Sequence, residues 1–443
     1  MSDSKIIVID DDPTGSQTVH SCLLLTRWDT ETLGIALRDP APLFFVLSNT
    51  RGMAAARAAA VTREICQNLR VALDHLTATG QALQPILVSR SDSTLRGHYP
   101  VETDVMAAEL GPFDAHFLVP AFFEGGRITR DSVHYVRQNG VETPAHETEF
   151  AQDSVFAFHH SYLPDYVEEK TQGRIPAAAT ERLTLADLHA GCLPRLLALK
   201  DNACVVVDAV EPADLAAFAR DLRVAAAQGK RFLFRSAASL LTALADLPPQ
   251  PVAAEDMAQL VRGGKAGAIV VGSHVRKTTE QLEHLLREPG LEAMEVQVDA
   301  CVGTERSAQL EAILRRAAAA HGKGRDVVIY TSRSERRFAD QAARLAFGEA
   351  VSAFLMEVVR GLPEDLGFLI SKGGITSNDV LSDGLALRMA RVVGQILPGC
   401  SVVVCPDDHP RTPRLPVVIF PGNVGDAGSL ARARRRLRGD APA

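Results

Sequence analysis

Lys5-Ile6-Ile7-Val8-Ile9 runs directly into Asp10-Asp11-Asp12-Pro13-Thr14-Gly15, and this junction constrains the fold more than any other stretch of the chain. A short apolar run bounded by turn residues reads as a buried strand. Three successive carboxylates at its carboxyl end repel one another unless cationic partners meet them. In open α/β sheets ligands bind beyond the carboxyl ends of the strands. Asp, Pro, Thr and Gly are also ordinary turn formers, yet a turn has no need of three acids. The expectation is a site.

The same rhythm continues along the first half. Ser21 to Leu25, Leu43 to Leu47, Pro85 to Ser89 and His116 to Val119 read as further strands, and the Ala-rich stretch Met53 to Leu76 reads as helix. From Gly126 to about Asp153 the pattern turns polar and turn-rich, as a hairpin insertion would. Val205 to Val207, the helical Pro212 to Gln228 and Phe232 to Phe234 then resume the alternation. Clustered proline in Leu247-Pro248-Pro249-Gln250-Pro251 marks a linker. Beyond it, strands are expected at Ala268 to Val271, Met294 to Val298, Val327 to Tyr330, Phe368 to Ile370, Ser401 to Val404 and Val417 to Phe420, with helices at Ser307 to Ala320 and Asp340 to Val359. Repeated βαβ units predict mostly parallel sheets with helices on both faces. The chain of 443 residues is long enough for two or three domains. We read two α/β domains, 1–248 and 252–443, with an active site in the cleft between them.

Composition narrows the function classes. Only 5% of residues are aromatic, with a single Trp28, which disfavours base-stacking platforms for single-stranded nucleic acid. A net charge of −7 argues against a polyanion-binding surface. The seven cysteines form no Cys-x-x-Cys pair, so neither a zinc site nor a disulfide framework is signalled. The amino-terminal residues lack a signal-peptide pattern and no apolar run reaches membrane-spanning length, which predicts a cytoplasmic protein with no membrane partner. A homo-oligomer is compatible with all of this. The Arg-rich stretch Arg432 to Arg438 reads as a solvated terminal helix.

Three more strand ends in the first half carry an Arg beside Gly: Ser48-Asn49-Thr50-Arg51-Gly52, Ser89-Arg90-Ser91-Asp92-Ser93-Thr94-Leu95-Arg96-Gly97-His98, and Pro120 to Arg127. The planar guanidinium fork suits a carboxylate or phosphate. In the second half, Ser371-Lys372-Gly373-Gly374-Ile375-Thr376-Ser377-Asn378-Asp379 offers paired glycines for close phosphate approach. Thr376 or Ser377 is placed to cap a following helix, and Asp379 would complete a capping-box pattern. Val271-Gly272-Ser273-His274 and Phe420-Pro421-Gly422-Asn423-Val424-Gly425 lie at other strand ends of the same half, and the three loops together predict a nucleotide cradle. No Walker A sequence is present. The run Cys405 to Pro410 reads as a polar turn rather than a metal site.

Asp11-Asp12-Pro13-Thr14-Gly15, Asn49-Thr50-Arg51, Asp92-Ser93-Thr94-Leu95-Arg96-Gly97, Gly373-Gly374-Ile375-Thr376 and Pro421-Gly422-Asn423-Val424-Gly425 stand in the order that resembles the four-carbon acid sugar kinase family. The resemblance spans essentially the whole chain. It implies a two-domain α/β enzyme that phosphorylates threonate, erythronate or an oxo-tetronate with ATP. The amino half would bind the sugar acid and the carboxyl half the nucleotide. By position, Ser273, Gly373, Gly374, Ile375, Thr376, Gly422 and Asn423 would contact nucleotide. Pro13 stands where many members have an aromatic residue, and Ile375 where many have Glu, which removes one polar contact.

Phosphoryl transfer needs positioning and charge neutralisation more than covalent work by the protein. Arg51 and Arg96, with Arg127, are the candidates to hold the substrate carboxylate, and Thr14 and Ser93 lie beside them. Asp12 or Asp11 would orient or deprotonate the attacking hydroxyl, and Asp92 would share that role or bond to substrate hydroxyls. Mg2+ would bridge the ATP phosphates, mostly through water; its protein ligands are not legible. Two rivals remain. Asp10-Asp11-Asp12-Pro13-Thr14 also fits the Asp-x-Asp-x-Thr pattern of haloacid-dehalogenase-like phosphatases, with Asp10 and Asp12 as the working pair and Asp407-Asp408 as a late acidic motif. A non-catalytic sugar-acid-binding protein is the other.

Overall fold

The computed structural model describes residues 4–81, 83–138, 140–333 and 341–440. The chain divides into two compact units, Met1–Pro248 and Pro249–Ala443.

In the first unit the strands are β1 (Ser4–Asp10), β2 (Cys22–Leu25), β3 (Leu43–Leu47), β4 (Gln84–Arg90), β5 (Ala115–Val119), β6 (Arg127–Arg130), β7 (Val133–Gln138), β8 (Val141–Pro144), β9 (Glu181–Leu183), β10 (Ala203–Val207) and β11 (Phe232–Ser236). Eight of them pair in the order β2-β3-β1-β4-β11-β5-β10-β9, every pairing parallel. Strands covered on both faces are apolar without alternation. Accordingly Ile6, Ile7, Val8 and Ile9 are all buried, as is the whole of β3. β6, β7 and β8 form a separate antiparallel sheet, the insertion expected from residue 126 onward. The crossover helices include Ala55–Ala78 and Pro212–Ala227.

Register decides where the loops emerge. Asp10 of β1 pairs with Leu47 of β3 and with Arg90 of β4. Arg90 pairs in turn with Ser236 of β11, which pairs with Val119 of β5. Five strands therefore end at one level, and the loops after them start side by side.

The second unit contains β12 (Ala268–Val271), β13 (Leu291–Val296), β14 (Asp326–Thr331), β15 (Leu369–Lys372), β16 (Met389–Leu397), β17 (Cys400–Val404) and β18 (Pro416–Phe420). Their order is β13-β14-β12-β15-β18-β17-β16; the first five are parallel, and β17 and β16 turn antiparallel. Val271, Tyr330, Lys372 and Phe420 share one level. The core on one face of this sheet is an apolar cluster that includes Ile269, Ile370, Val418 and Leu430.

Several expectations need correction. β9 was not anticipated because it is three residues long, nor β16, whose burial alternates along a stretch broken by Arg391 and Gly394. β13 starts at Leu291 and stops at Val296, and Val298–Cys301 forms a 3-10 turn instead. The expected helix start at Asp340 lies outside the described residues; the helix spans Gln341–Gly361. The last helix, Ser429–Arg438, is not merely solvated. Arg434 is 4% exposed and its Nε donates to Asp326 Oδ2 at 2.6 Å, tying the helix to β14. All seven cysteines are buried, as small apolar core residues.

Candidate functional site

In the first unit the acids and arginines meet. Asn49 adopts a left-handed conformation (φ 52°) that starts the 3-10 turn Thr50–Gly52 and directs Arg51 back over the β1 loop. The Arg51 guanidinium grips Asp11 twice, Nη2 to Oδ1 at 2.5 Å and Nε to Oδ2 at 3.2 Å, and Nη1 reaches Asp12 Oδ2 at 3.2 Å. Asp12 Oδ1 also accepts from the Thr14 N–H at 2.8 Å and the Thr14 hydroxyl at 2.5 Å. Asp10 lies beneath, fully buried, with one oxygen 3.8 Å from Arg90 Nη1 and the other lacking a hydrogen-bond partner. Gly15 is obligatory here, because a Cβ would lie 1.8 Å from Asp10 Oδ2.

Neighbouring carboxyls are thereby driven apart in acidity. Burial pushes Asp10 up to about 8, against the opposing charge of Arg90. Burial also raises Asp11, although Arg51 works the other way. At Asp12 burial is outweighed by Arg51 and by the Thr14 bonds, which hold it below the usual carboxylate value. Asp92 is likewise held ionised against burial, by Arg51 and Arg96. Carboxyls tuned to opposite states in one place are a mark of acid–base sites.

The β4 loop supplies the second cluster. Arg96 Nε donates to Asp92 Oδ2 at 2.8 Å and to Thr94 Oγ1 at 3.1 Å. The guanidiniums of Arg96 and Arg127 both lie over the Phe150 ring, 5.2 Å and 5.7 Å from its centre. Arg127 Nη1 donates to the Gly125 carbonyl, while its buried Nε has no partner. The Ser93 carbonyl accepts from His134 Nε2 at 2.7 Å, fixing the loop from below. All the residues expected to bind substrate thus lie on the loops after β1, β3 and β4 or, for Arg127, at the start of β6. Arg51 differs from expectation in one respect: three of its bonds already go to Asp11 and Asp12, so it shapes the acidic pair as well as facing outward.

Sequence reasoning passed over Glu102 and Arg235. They form a buried pair at 2.5 Å, 4% and 3% exposed, and Glu102 also accepts from Thr50 Oγ1. Arg235 was legible in principle, as a lone cation ending the apolar run Phe232 to Phe234, the pattern repeated at Arg90 in β4.

In the second unit four loops converge on Ser273. A Cβ on Gly272 would lie 2.2 Å from Thr376 Oγ1; one on Gly373 would lie 2.9 Å from Ser273 Cβ, and one on Gly422 3.1 Å from Ser273 Oγ. Thr278 Oγ1 bonds to Ser273 Oγ at 3.2 Å and to the Gly422 carbonyl at 2.9 Å. Lys372, wholly buried, donates to the carbonyls of Pro421 and Gly422 and lies over the Phe420 ring, 4.3 Å from its centre. Arg333, also unremarked in the sequence, donates to the Ser273 carbonyl at 2.5 Å. Ile375 is 71% exposed and Asn423 is exposed, while Gly374 is half-buried.

The capping expectation fails. The helix after Gly373 begins at Gly374 and has six residues, Gly374–Asp379, so Thr376 and Ser377 lie inside its first turn and no side chain caps it. Ser377 Oγ instead bonds to the Ser371 hydroxyl at 2.8 Å, and Asp379 accepts from Ser352. Gly373, at φ 122°, supplies the turn that a capping residue was expected to make. The turn at Cys405 to Pro410 is held by His409, which bonds the Leu385 carbonyl at 2.7 Å. Among the described residues no group of three or more His, Cys, Asp or Glu side chains is arranged to hold a metal ion. Nor is any helix among them long and apolar enough to cross a membrane.

Comparison with known proteins adds to this geometry. Residues 6–244 match the family model of a sugar-binding N-terminal domain, and residues 268–430 that of a nucleotide-binding C-terminal domain. The chain is 30% identical over 237 residues to a D-threonate kinase of Bordetella bronchiseptica, covering 51% of each protein. It is 28% identical over 293 residues to a D-erythronate kinase of Heliobacterium modesticaldum, covering 63% of this chain and 60% of that one. The chain thus spans between half and two thirds of the curated relatives it matches. A crystal structure from Salmonella typhimurium LT2 aligns with a TM-score of 0.70 at 20% identity, over 97% of this chain and 99% of the other, which establishes likeness of fold. With more than half of its length matched by one of these models, the chain belongs to the four-carbon acid sugar kinase family.

Proposed function

We propose that this protein is a cytoplasmic, ATP-dependent kinase that phosphorylates a hydroxyl of a four-carbon sugar acid, threonate, erythronate or 3-oxo-tetronate, in carbohydrate catabolism. What carries the reading is that one chain holds both loop sets: a carboxylate–guanidinium cluster ends the strands of one unit, and a glycine–hydroxyl cradle ends those of the other. The relatives named as D-threonate and D-erythronate kinases support it.

In this reading Asp12 takes the proton of the attacking hydroxyl, since Arg51 and Thr14 hold it ionised and a fifth of its side chain stays exposed (21%). Asp11 positions Arg51, and Asp92 receives a second substrate hydroxyl. Arg96 and Arg127, side by side on Phe150, hold the carboxylate, with Thr14 and Ser93 lining the approach. Ser273, Gly373, Gly374, Thr376 and Gly422 let phosphate oxygens approach the backbone, and Ile375 and Asn423 lie at the exposed rim. A Mg2+ would be carried mostly by the triphosphate and water. When bound, it neutralises charge on the β- and γ-phosphate oxygens. Closing the site around both substrates would limit hydrolysis of ATP.

The phosphatase reading is weaker. Its nucleophile would be Asp10, whose carboxyl is sealed beneath Gly15 and favours its neutral form. The test is an ADP-release assay over D- and L-threonate, D- and L-erythronate and their oxo forms. ADP release dependent on one of these acids is expected. Phosphate release from a phosphate ester without ATP would overturn the kinase reading.

A further inference from the structure

The end of β11 carries two polar groups with no task in the site as described. Arg235 and Ser236 are 3% and 2% exposed. Arg235 Nη1 donates to Glu102 Oε2 at 2.5 Å and to Ser89 Oγ at 2.7 Å, but its Nη2 has no hydrogen-bond partner, and neither does the Ser236 hydroxyl. Buried donors are almost always paired, so each exception asks for a cause. Both residues line a cavity of about 10 Å³ whose wall also includes Ser91 and Asp92, with Tyr166 and Leu118 as apolar lining. That volume suits a single oxygen atom. Asp92 accepts from Thr94 and Arg96 through Oδ2 alone, which leaves Oδ1 able to accept from a ligand.

We propose that this recess is a substrate subsite that seats one hydroxyl of the sugar acid, not its carboxylate. The hydroxyl accepts from Arg235 Nη2 and Ser236 Oγ and donates to Asp92. The proposal rests on the kinase reading and adds two residues to it. The chemistry selects the group: a carboxylate oxygen would suit the two donors but would face the ionised Asp92, whereas a hydroxyl satisfies donors and acceptor together. Because the recess admits one oxygen, it ranks stereoisomers. An epimer that directs this hydroxyl elsewhere leaves the donors unpaired and carries an oxygen with no recess to enter.

Ser236→Ala tests it, because the change is small and leaves the Arg235–Glu102 pair intact. Steady-state ADP release is measured with the sugar acid that the wild type uses best, and with deoxy analogues that each lack one non-reacting hydroxyl. For the full substrate KM is expected to rise about five- to tenfold, the loss of one hydrogen bond to a ligand. KM for ATP and the melting temperature should stay unchanged. For one deoxy analogue wild type and variant should coincide. Arg235→Lys is expected to raise KM further. Equal KM for wild type and Ser236→Ala overturns the subsite, as does a drop in melting temperature with no change in KM, which would assign the recess to an internal water. If the wild type phosphorylates none of these acids, the kinase reading falls, and calorimetric titration of threonate and erythronate decides the subsite alone. Weaker binding to Ser236→Ala then sustains it, and equal or absent binding overturns it.

Discussion

Both units end a set of level parallel strands in clustered loops, but they equip those loops differently. In the first unit the loops carry charge: Asp11, Asp12 and Arg51 are tied together, and Asp92 is tied to Arg96. In the second the loops carry glycines and hydroxyls gathered round Ser273, with Lys372 buried below. The difference teaches what each edge can select. A side-chain cluster fixes the direction and sign of every contact, so it distinguishes one small acid from another. A backbone cradle offers close approach to any phosphate chain and little else. Specificity should therefore reside in the first unit, and affinity for nucleotide in the second.

Removing a charge from the first edge is the severest way to test that division. Asp12→Asn keeps the Thr14 bonds feasible but removes the proton acceptor. Loss of a general base costs about 10²–10⁴-fold in rate, so kcat for ADP release should fall by that order while ATP titrates with unchanged affinity. Turnover at the wild-type rate would make this cluster structural. The counterpart on the second edge is Gly373→Ala. At φ 122° an alanine is strained, and its Cβ would press on Ser273. Strain of this kind costs about 1–3 kcal/mol, so KM for ATP should rise roughly tenfold or more with KM for the sugar acid unmoved. If both constants rise together, the two edges are not separable.

Arg96→Lys sharpens the comparison further. Arg96 Nε alone serves Asp92 and Thr94, so a two-point grip on a carboxylate uses the rest of its planar fork, which one ammonium cannot reproduce. KM for the sugar acid should increase by about tenfold, in line with the loss of one charged hydrogen bond. A change confined to KM for ATP would place Arg96 on the wrong edge.

The same contrast explains how far the residues could be read in advance. Strands buried on both faces are continuous apolar runs, so β1, β3 and β12 are plain in the sequence, and the motifs at their ends follow from them. Short or half-exposed strands such as β9 and β16 lack that signal. Candidate residues on adjacent loops were legible because parallel register brings consecutive strand ends together. The partners beneath them were not. Arg235 comes from β11, far along the chain, and reaches the site only because β11 inserts between β4 and β5. The capping expectation at Thr376 failed for a local reason: Gly373 can itself turn the chain, so the helix starts at Gly374, ahead of Thr376, and has no side-chain cap.

The smallest expected effect separates the units by pH, through one buried group in each. Burial raises Asp10 from an ordinary 3.8 to about 8 and lowers Lys372 from 10.5 to about 7. For Asp10 the folded chain keeps a proton that the unfolded chain has released, so its contribution to stability falls as pH rises from about 4 to about 8. For Lys372 the unfolded chain keeps the proton that the folded chain releases, so stability rises from about pH 7 to about 10.5. Melting temperatures of Asp10→Asn and Lys372→Met, each minus wild type, isolate these terms. The Asp10→Asn difference should become more positive between pH 4 and 8 and then level. The Lys372→Met difference should become more negative between pH 7 and 10, because the wild type recovers the stability lost by burying a charged ammonium. Two differences with the same slope would mean that the buried groups do not titrate in opposite senses, and that the two edges are electrostatically alike.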